Sequence, residues 1–233
     1  MLGALVAWWV RVPQRAVAGV MAFGAGVLVS ALAFELVAPA EEQGGLGPTV
    51  AGFLGGAVAY VAANEVLARR GARHRKRSTG KQPSEDQSAG SGAAIAVGAL
   101  LDGVPESVVL GLSVLGGEGV GIGVLVAVFL SNLPEGLSSA AGMKAAGRGA
   151  RYVFGVWGAI AVVSGLAAAL GAVALGGASP TTVAVITAVA AGAILAMVAD
   201  TMIPEAFERT HALTGLVTAT GFLAAFAVHH LGA

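Results

Sequence analysis

The chain has 233 residues, of which 56% are hydrophobic and only 11% charged, a charged share less than half that of an ordinary soluble domain. So much apolar surface cannot be hidden inside one globule of this size, so a bilayer must solvate part of it. Net charge is zero and cysteine is absent, which gives no electrostatic case for nucleic acid and excludes disulfides, thiolate metal sites and thiol catalysis.

A helix needs about 20 apolar residues to cross the hydrocarbon core. The opening run Met1–Val10 is apolar but too short to cross alone. No basic segment precedes it and no clear cleavage site follows, so it reads as a first helix, short or truncated at its start, rather than a signal-peptide core. Further spans are expected near 16–38, 48–68, 92–115, 119–143, 152–176, 180–204 and 212–231, giving eight helices in all. Tight turns are expected at Glu41–Gly47, Gly116–Gly119 and Gly176–Ser179. Residues 69–91 hold seven basic residues, then Pro83, Ser84, Glu85, Asp86 and a Ser/Gly stretch; this composition predicts a disordered, solvated loop. The whole of 1–233 is expected to be one transmembrane domain, and its thirty-six glycines suit close helix–helix approach.

Orientation follows from the basic residues. With eight crossings, all thirteen Lys and Arg fall on one side: Arg11 and Arg15, the seven in 69–91, Lys144, Arg148, Arg151, and Arg209. The positive-inside rule makes that side cytoplasmic. A multi-pass protein of the cell membrane with both termini extracytoplasmic is the expectation.

Seven acids fall within apolar spans: Glu35, Glu65, Asp102, Glu106, Glu135, Asp200 and Glu205. A charge at the bilayer centre costs about 3 kcal/mol or more. Asp102, Glu106 and Glu135 lie well inside their spans, where no Lys or Arg is at hand. Such acids must be protonated or must share a cation from outside the chain, and a metal ion stabilises the deprotonated form.

Spacing sharpens the point. Asp102 and Glu106 are one turn apart on one helix face, and Ser131 and Glu135 repeat that interval on the next helix, with Asn132 beside them. Both segments contain Pro-Glu, Pro105-Glu106 and Pro134-Glu135. A mid-helix proline removes one backbone hydrogen bond, and the carbonyls so freed, near Leu101 and Leu130, are tolerated only where they face protein, water or an ion. A third Pro-Glu stands at Pro204-Glu205 with Asp200 one turn earlier, and Glu35 sits in Ala-Phe-Glu-Leu. The expected metal ligands are therefore Asp102, Glu106, Asn132 and Glu135, with Glu35, Ser131, Asp200 and Glu205 along the pathway.

These segments, Asp102-Gly-Val-Pro-Glu-Ser and Ser131-Asn-Leu-Pro-Glu-Gly, resemble the signature pair of ZIP (Zrt/Irt-like) metal transporters, which carry His-Asn-x-Pro-Glu-Gly in the fourth helix and a related motif in the fifth. The likeness extends to the eight-helix topology, the long loop between helices three and four, the Ala-Phe-Glu-Leu of helix two and the Ile-Pro-Glu of helix seven. The resemblance implies helices one to three and six to eight arranged as inverted repeats around helices four and five. It also implies a metal site at mid-membrane between those central two. By position, Asp102 and Ser131 stand where the family has its histidine or glutamine. Gly103 stands for the asparagine, Asn132 for an acid, and Glu106 and Glu135 for the glutamates.

The departures leave an oxygen-only site that keeps one metal where the family can hold two. Such a site is harder, which makes Mn²⁺ or Fe²⁺ more plausible beside Zn²⁺; zinc stays first because of the family. The expected function is movement of a divalent cation into the cytoplasm. The expected partners are the metal ion as substrate, the lipid bilayer and, at most, a second copy of the chain as a homodimer. A non-transporting metal sensor or regulatory subunit is the alternative, motivated by the missing histidines. An organic-solute carrier would need recognition groups that the spans do not offer. An enzyme is not expected, since no Ser-His arrangement lies in the membrane and neither Asp102 nor Asp200 is in a Gly-x-Gly-Asp setting.

Overall fold

In hydrocarbon every backbone N–H and C=O must be bonded within its own segment, which favours helices. The computed structural model describes residues 1–72, 91–113 and 122–232, and among them there are eight helices and no strand. They are α1, Leu2–Trp9; α2, Gln14–Gly44; α3, Leu46–Leu67, prolonged by a wide turn over Ala68–Ala72; and α4, Ser91–Ser113. There follow α5, Ile122–Ala145; α6, Ala150–Leu175; α7, Pro180–Thr210; and α8, Leu213–Gly232. Six of the eight, α2, α3, α4, α6, α7 and α8, are long and apolar enough to cross a membrane. Over the described residues the chain is all helical, its six long apolar helices mark a multi-pass membrane protein, and its first helix is short, as expected.

Three boundaries differ from the sequence expectation, each for a local reason. The turn expected over Glu41–Gly47 shrinks to Gly45, because Ala40–Gln43 are good helix formers and carry α2 on to Gly44. Gly45 then turns the chain with φ of 80°, which glycine adopts without a Cβ penalty. At the basic loop, helix persists to Ala72 and resumes at Ser91; residues 73–90, which hold most of that loop, and the turn at Gly116–Gly119 lie outside the described residues. Finally, α7 does not stop at Pro204 but runs on to Thr210.

The last point has a mechanism shared with α2. Each of these 31-residue helices contains a π turn, Leu32–Val37 in α2 and Val198–Met202 in α7, followed by a proline at the start of the next α-helical stretch, Pro39 and Pro204. Proline cannot donate a hydrogen bond to the carbonyl four residues back. The wider π turn absorbs the mismatch, so the helix is re-aimed rather than ended. In both helices the carbonyl four residues back belongs to an acid, Glu35 or Asp200.

Packing pairs the helices in a regular way: α3 with α7, α8 with α2, α4 with α6 and α1 with α5. Glycine makes the first two crossings close. Gly56 lies against the Val189 carbonyl and Gly192 against the Phe53 carbonyl. Gly26 meets the Thr218 carbonyl and Gly221 the Phe23 carbonyl, and a Cβ on any of the four would strike backbone. A core of Met21, Leu28, Tyr60, Val109, Ile194, Met197 and Met202 fills the space between α2, α3, α4 and α7. At the basic end, α1 is held on α5 by Gly3, seated on the Leu133–Leu137 backbone, and by Lys144 Nζ, which donates to the Trp8 carbonyl at 2.7 Å.

Candidate metal centre

Two helices carry the centre, and their prolines set its geometry. Pro105 and Pro134 both lie inside unbroken helices. Gly24 brings α2 close to one of the openings: a Cβ there would stand 2.9 Å from the Leu130 carbonyl and 3.3 Å from the Ser131 Cα. Leu130 is the residue whose carbonyl Pro134 leaves without its usual donor.

Glu106 is the hub. It is 2% exposed, and two side chains of α5 reach it. Ser131 Oγ donates to Glu106 Oε1 at 2.9 Å, and Asn132 Nδ2 donates to Glu106 Oε2. Asn132 Nδ2 also donates back to the Val128 carbonyl at 2.9 Å, and that carbonyl, 3.0 Å from Ser131 Oγ, shares the single hydroxyl proton with Glu106. Glu135 is buried one turn beyond Ser131 on the same face. Of the expected ligands and pathway residues, the structure therefore brings Glu106, Ser131 and Asn132 into direct contact.

Asp102, one turn before Glu106 on α4, is as deeply buried, and a side chain of α3 reaches it. The Tyr60 hydroxyl of α3 donates to Asp102 Oδ1 at 2.6 Å. Sequence reasoning missed Tyr60. A tyrosine in an apolar run reads as core, and its partner is 42 residues away; the one available signal was that a buried phenol needs a polar partner. Gly103 faces α6, with Ser164 Oγ 3.4 Å from where its Cβ would be.

The remaining pathway candidates are spread along the bundle. Glu35 is partly buried, with His229 Nδ1 4.0 Å from its Oε1, and the His229 ring stacks on Phe34 with centroids 5.7 Å apart. Asp200 is exposed and Glu205 half-buried, both toward the other end. Glu65 is outside the centre, in an exposed pair with Arg69 at 2.8 Å.

An open cavity of about 530 Å³ leads inward from the end of the bundle away from the Lys and Arg residues. It is lined by the ends of α2, α4, α6 and α7, including Gln43, Ser113, Gly176 and Pro180, and it reaches Glu35 and Val109. Val109 is on the same face of α4 as Glu106, just under one turn on. The cavity thus extends to the layer above Glu106.

Chemically the centre is hard and oxygen-rich. Among the described residues no three of His, Asp and Glu come close enough together to chelate an ion. The donors on hand beside Glu106 are instead a hydroxyl and an amide. An amide offers its oxygen to a cation by turning about its last bond, which exchanges the positions of N and O. No family model matches the chain, and no curated protein matches its sequence.

Proposed function

We propose that the protein carries a divalent metal cation across the cell membrane into the cytoplasm, through a carboxylate site between α4 and α5, in the manner of ZIP-type transporters. Zinc is the first candidate on the strength of the resemblance; Mn²⁺ and Fe²⁺ suit an oxygen-only donor set.

The observation that carries the reading is the Glu106 cluster. A carboxylate that is 2% exposed, held by Ser131 and Asn132 across a helix interface, costs several kcal/mol if charged and uncompensated. Within α2 to α8 the Lys and Arg residues occur only near the ends of helices. The cluster sets a carboxylate, a hydroxyl and an amide side by side below the cavity, an oxygen donor set of the kind that hard divalent cations take.

Internal symmetry supports the transporter reading further. The sequence interval from Glu35 to Asp200 is also that from Pro39 to Pro204 and from Gly56 to Gly221. Exchanging helices one to three with six to eight, and four with five, maps the α3/α7 pairing onto α8/α2 and the α4/α6 pairing onto α5/α1. These correspondences favour an inverted repeat, with Glu35 and Asp200 as matching acids at opposite mouths. The one-sided Lys and Arg distribution favours extracytoplasmic termini, and the cavity would then open outward.

The test is metal uptake into proteoliposomes by the wild type, Glu106→Ala and Glu135→Ala. Uptake by the wild type and its loss in both variants is expected; equal uptake by all three would end the reading.

A further inference from the structure

The Tyr60–Asp102 bond joins a fully buried phenol on α3 to an acid one turn from Glu106. Tyr60 is 2% exposed and belongs to the core shared by α2, α3, α4 and α7, so its hydroxyl is carried on a ring with little room to move. The Tyr60 hydroxyl donates to Asp102 Oδ1 at 2.6 Å, within the ordinary range for an O–H···O hydrogen bond.

We propose that the Tyr60 hydroxyl is a specificity-determining group of the central site: by holding Asp102 Oδ1 it keeps that carboxylate from closing on one ion with both oxygens, and so disfavours Ca²⁺ against smaller divalent ions. The inference rests on the metal-transport reading above. Its chemistry is coordination number. Ca²⁺ gathers about six to eight oxygens and commonly takes two from one carboxylate. Zn²⁺ is satisfied by about four ligands, and a small ion loses little when a carboxylate gives it one oxygen. A carboxylate with one oxygen engaged by a rigid phenol is a poor Ca²⁺ chelator. The hydroxyl acts through Asp102, so it is a positioning group and need not touch the ion.

The experiment measures Mn²⁺ uptake into proteoliposomes against increasing Ca²⁺, for the wild type, Tyr60→Phe, Asp102→Asn and the double variant, with Glu106→Ala as reference. Phenylalanine keeps the ring and removes only the hydroxyl. In Tyr60→Phe the Ca²⁺ concentration that halves Mn²⁺ uptake should fall roughly tenfold, the worth of one hydrogen bond to a charged group. In the Asp102→Asn background the same change should have no effect on Ca²⁺ sensitivity. A Ca²⁺ sensitivity unchanged by Tyr60→Phe, or changed equally with and without Asp102, overturns the proposal, as does a folded Tyr60→Phe protein that carries no Mn²⁺. A second measurement avoids the tyrosine variant: retention of radioactive Ca²⁺ by the wild type in detergent that Asp102→Asn abolishes also overturns it. If wild-type uptake is absent or indifferent to Glu106→Ala, the transport reading itself fails; if uptake depends on Glu106 while Ca²⁺ ignores Tyr60, this inference alone fails.

Discussion

Ser131 Oγ donates a 2.9 Å hydrogen bond to Glu106 Oε1, across the interface of two helices that each carry a proline in their interior. The serine is wholly buried, so removing its hydroxyl brings in no water to replace it. Ser131→Ala should destabilise the detergent-solubilised protein by about 1–2 kcal/mol, the cost of a lost donor to a buried charged acceptor. Metal uptake should fall with it. An unchanged thermal transition and unchanged uptake would show that Glu106 does not depend on this contact.

A paired glycine substitution tests the helix crossings. Gly56 is packed on the Val189 carbonyl, whereas its neighbour Gly55 has nothing within 4 Å of its Cβ position. Gly56→Val should cost about 1–3 kcal/mol by overpacking, while Gly55→Val should be near neutral. Thermal unfolding in detergent distinguishes them. Similar transitions for both would mean that α3 and α7 are not in close contact.

The approach of α2 to the centre predicts a functional effect distinct from stability. Gly24→Val places a branched side chain against Leu130 and Ser131, and should displace the Ser131–Glu106 contact. Gly19 has open space at its Cβ, so Gly19→Val serves as the reference. Uptake should drop severalfold in the first and hold in the second; loss in both would instead point to a general intolerance of α2.

Much of this was legible in the sequence because hydrocarbon leaves few choices. Apolar run length gave the helices, and Asp102, Glu106 and Glu135, acids set deep in their apolar spans, are buried in the structure. What was hidden is tertiary or conformational. Tyr60 looks like any core aromatic until α3 lies beside α4. The ends of α2 and α7 were misplaced because Glu41, Glu42 and Gln43 lower hydropathy without lowering helix propensity. Pro204 likewise reads as a stop unless a π turn precedes it. Asp102 was grouped with Glu106 by spacing alone, and spacing cannot reveal that α3 supplies Asp102 with a phenol.

The cavity gives a prediction about access. Glu35 is the acid on its wall among the described residues, and a negative charge in a low-dielectric cleft concentrates cations. Glu35→Gln should raise the half-saturating metal concentration by roughly three- to tenfold with little change in maximal rate. Kinetics of uptake at varied external metal would check this. A fall in maximal rate at unchanged half-saturation would place Glu35 in a later step than capture.

The most direct measurement is anomalous scattering from crystals of the protein equilibrated with Mn²⁺ or Zn²⁺, in competition series. A peak between α4 and α5, within bonding distance of Glu106 and lost in Glu106→Ala, is the result expected. Peaks confined to the surface, for example at His229 and His230, with none beside Glu106, would contradict the account.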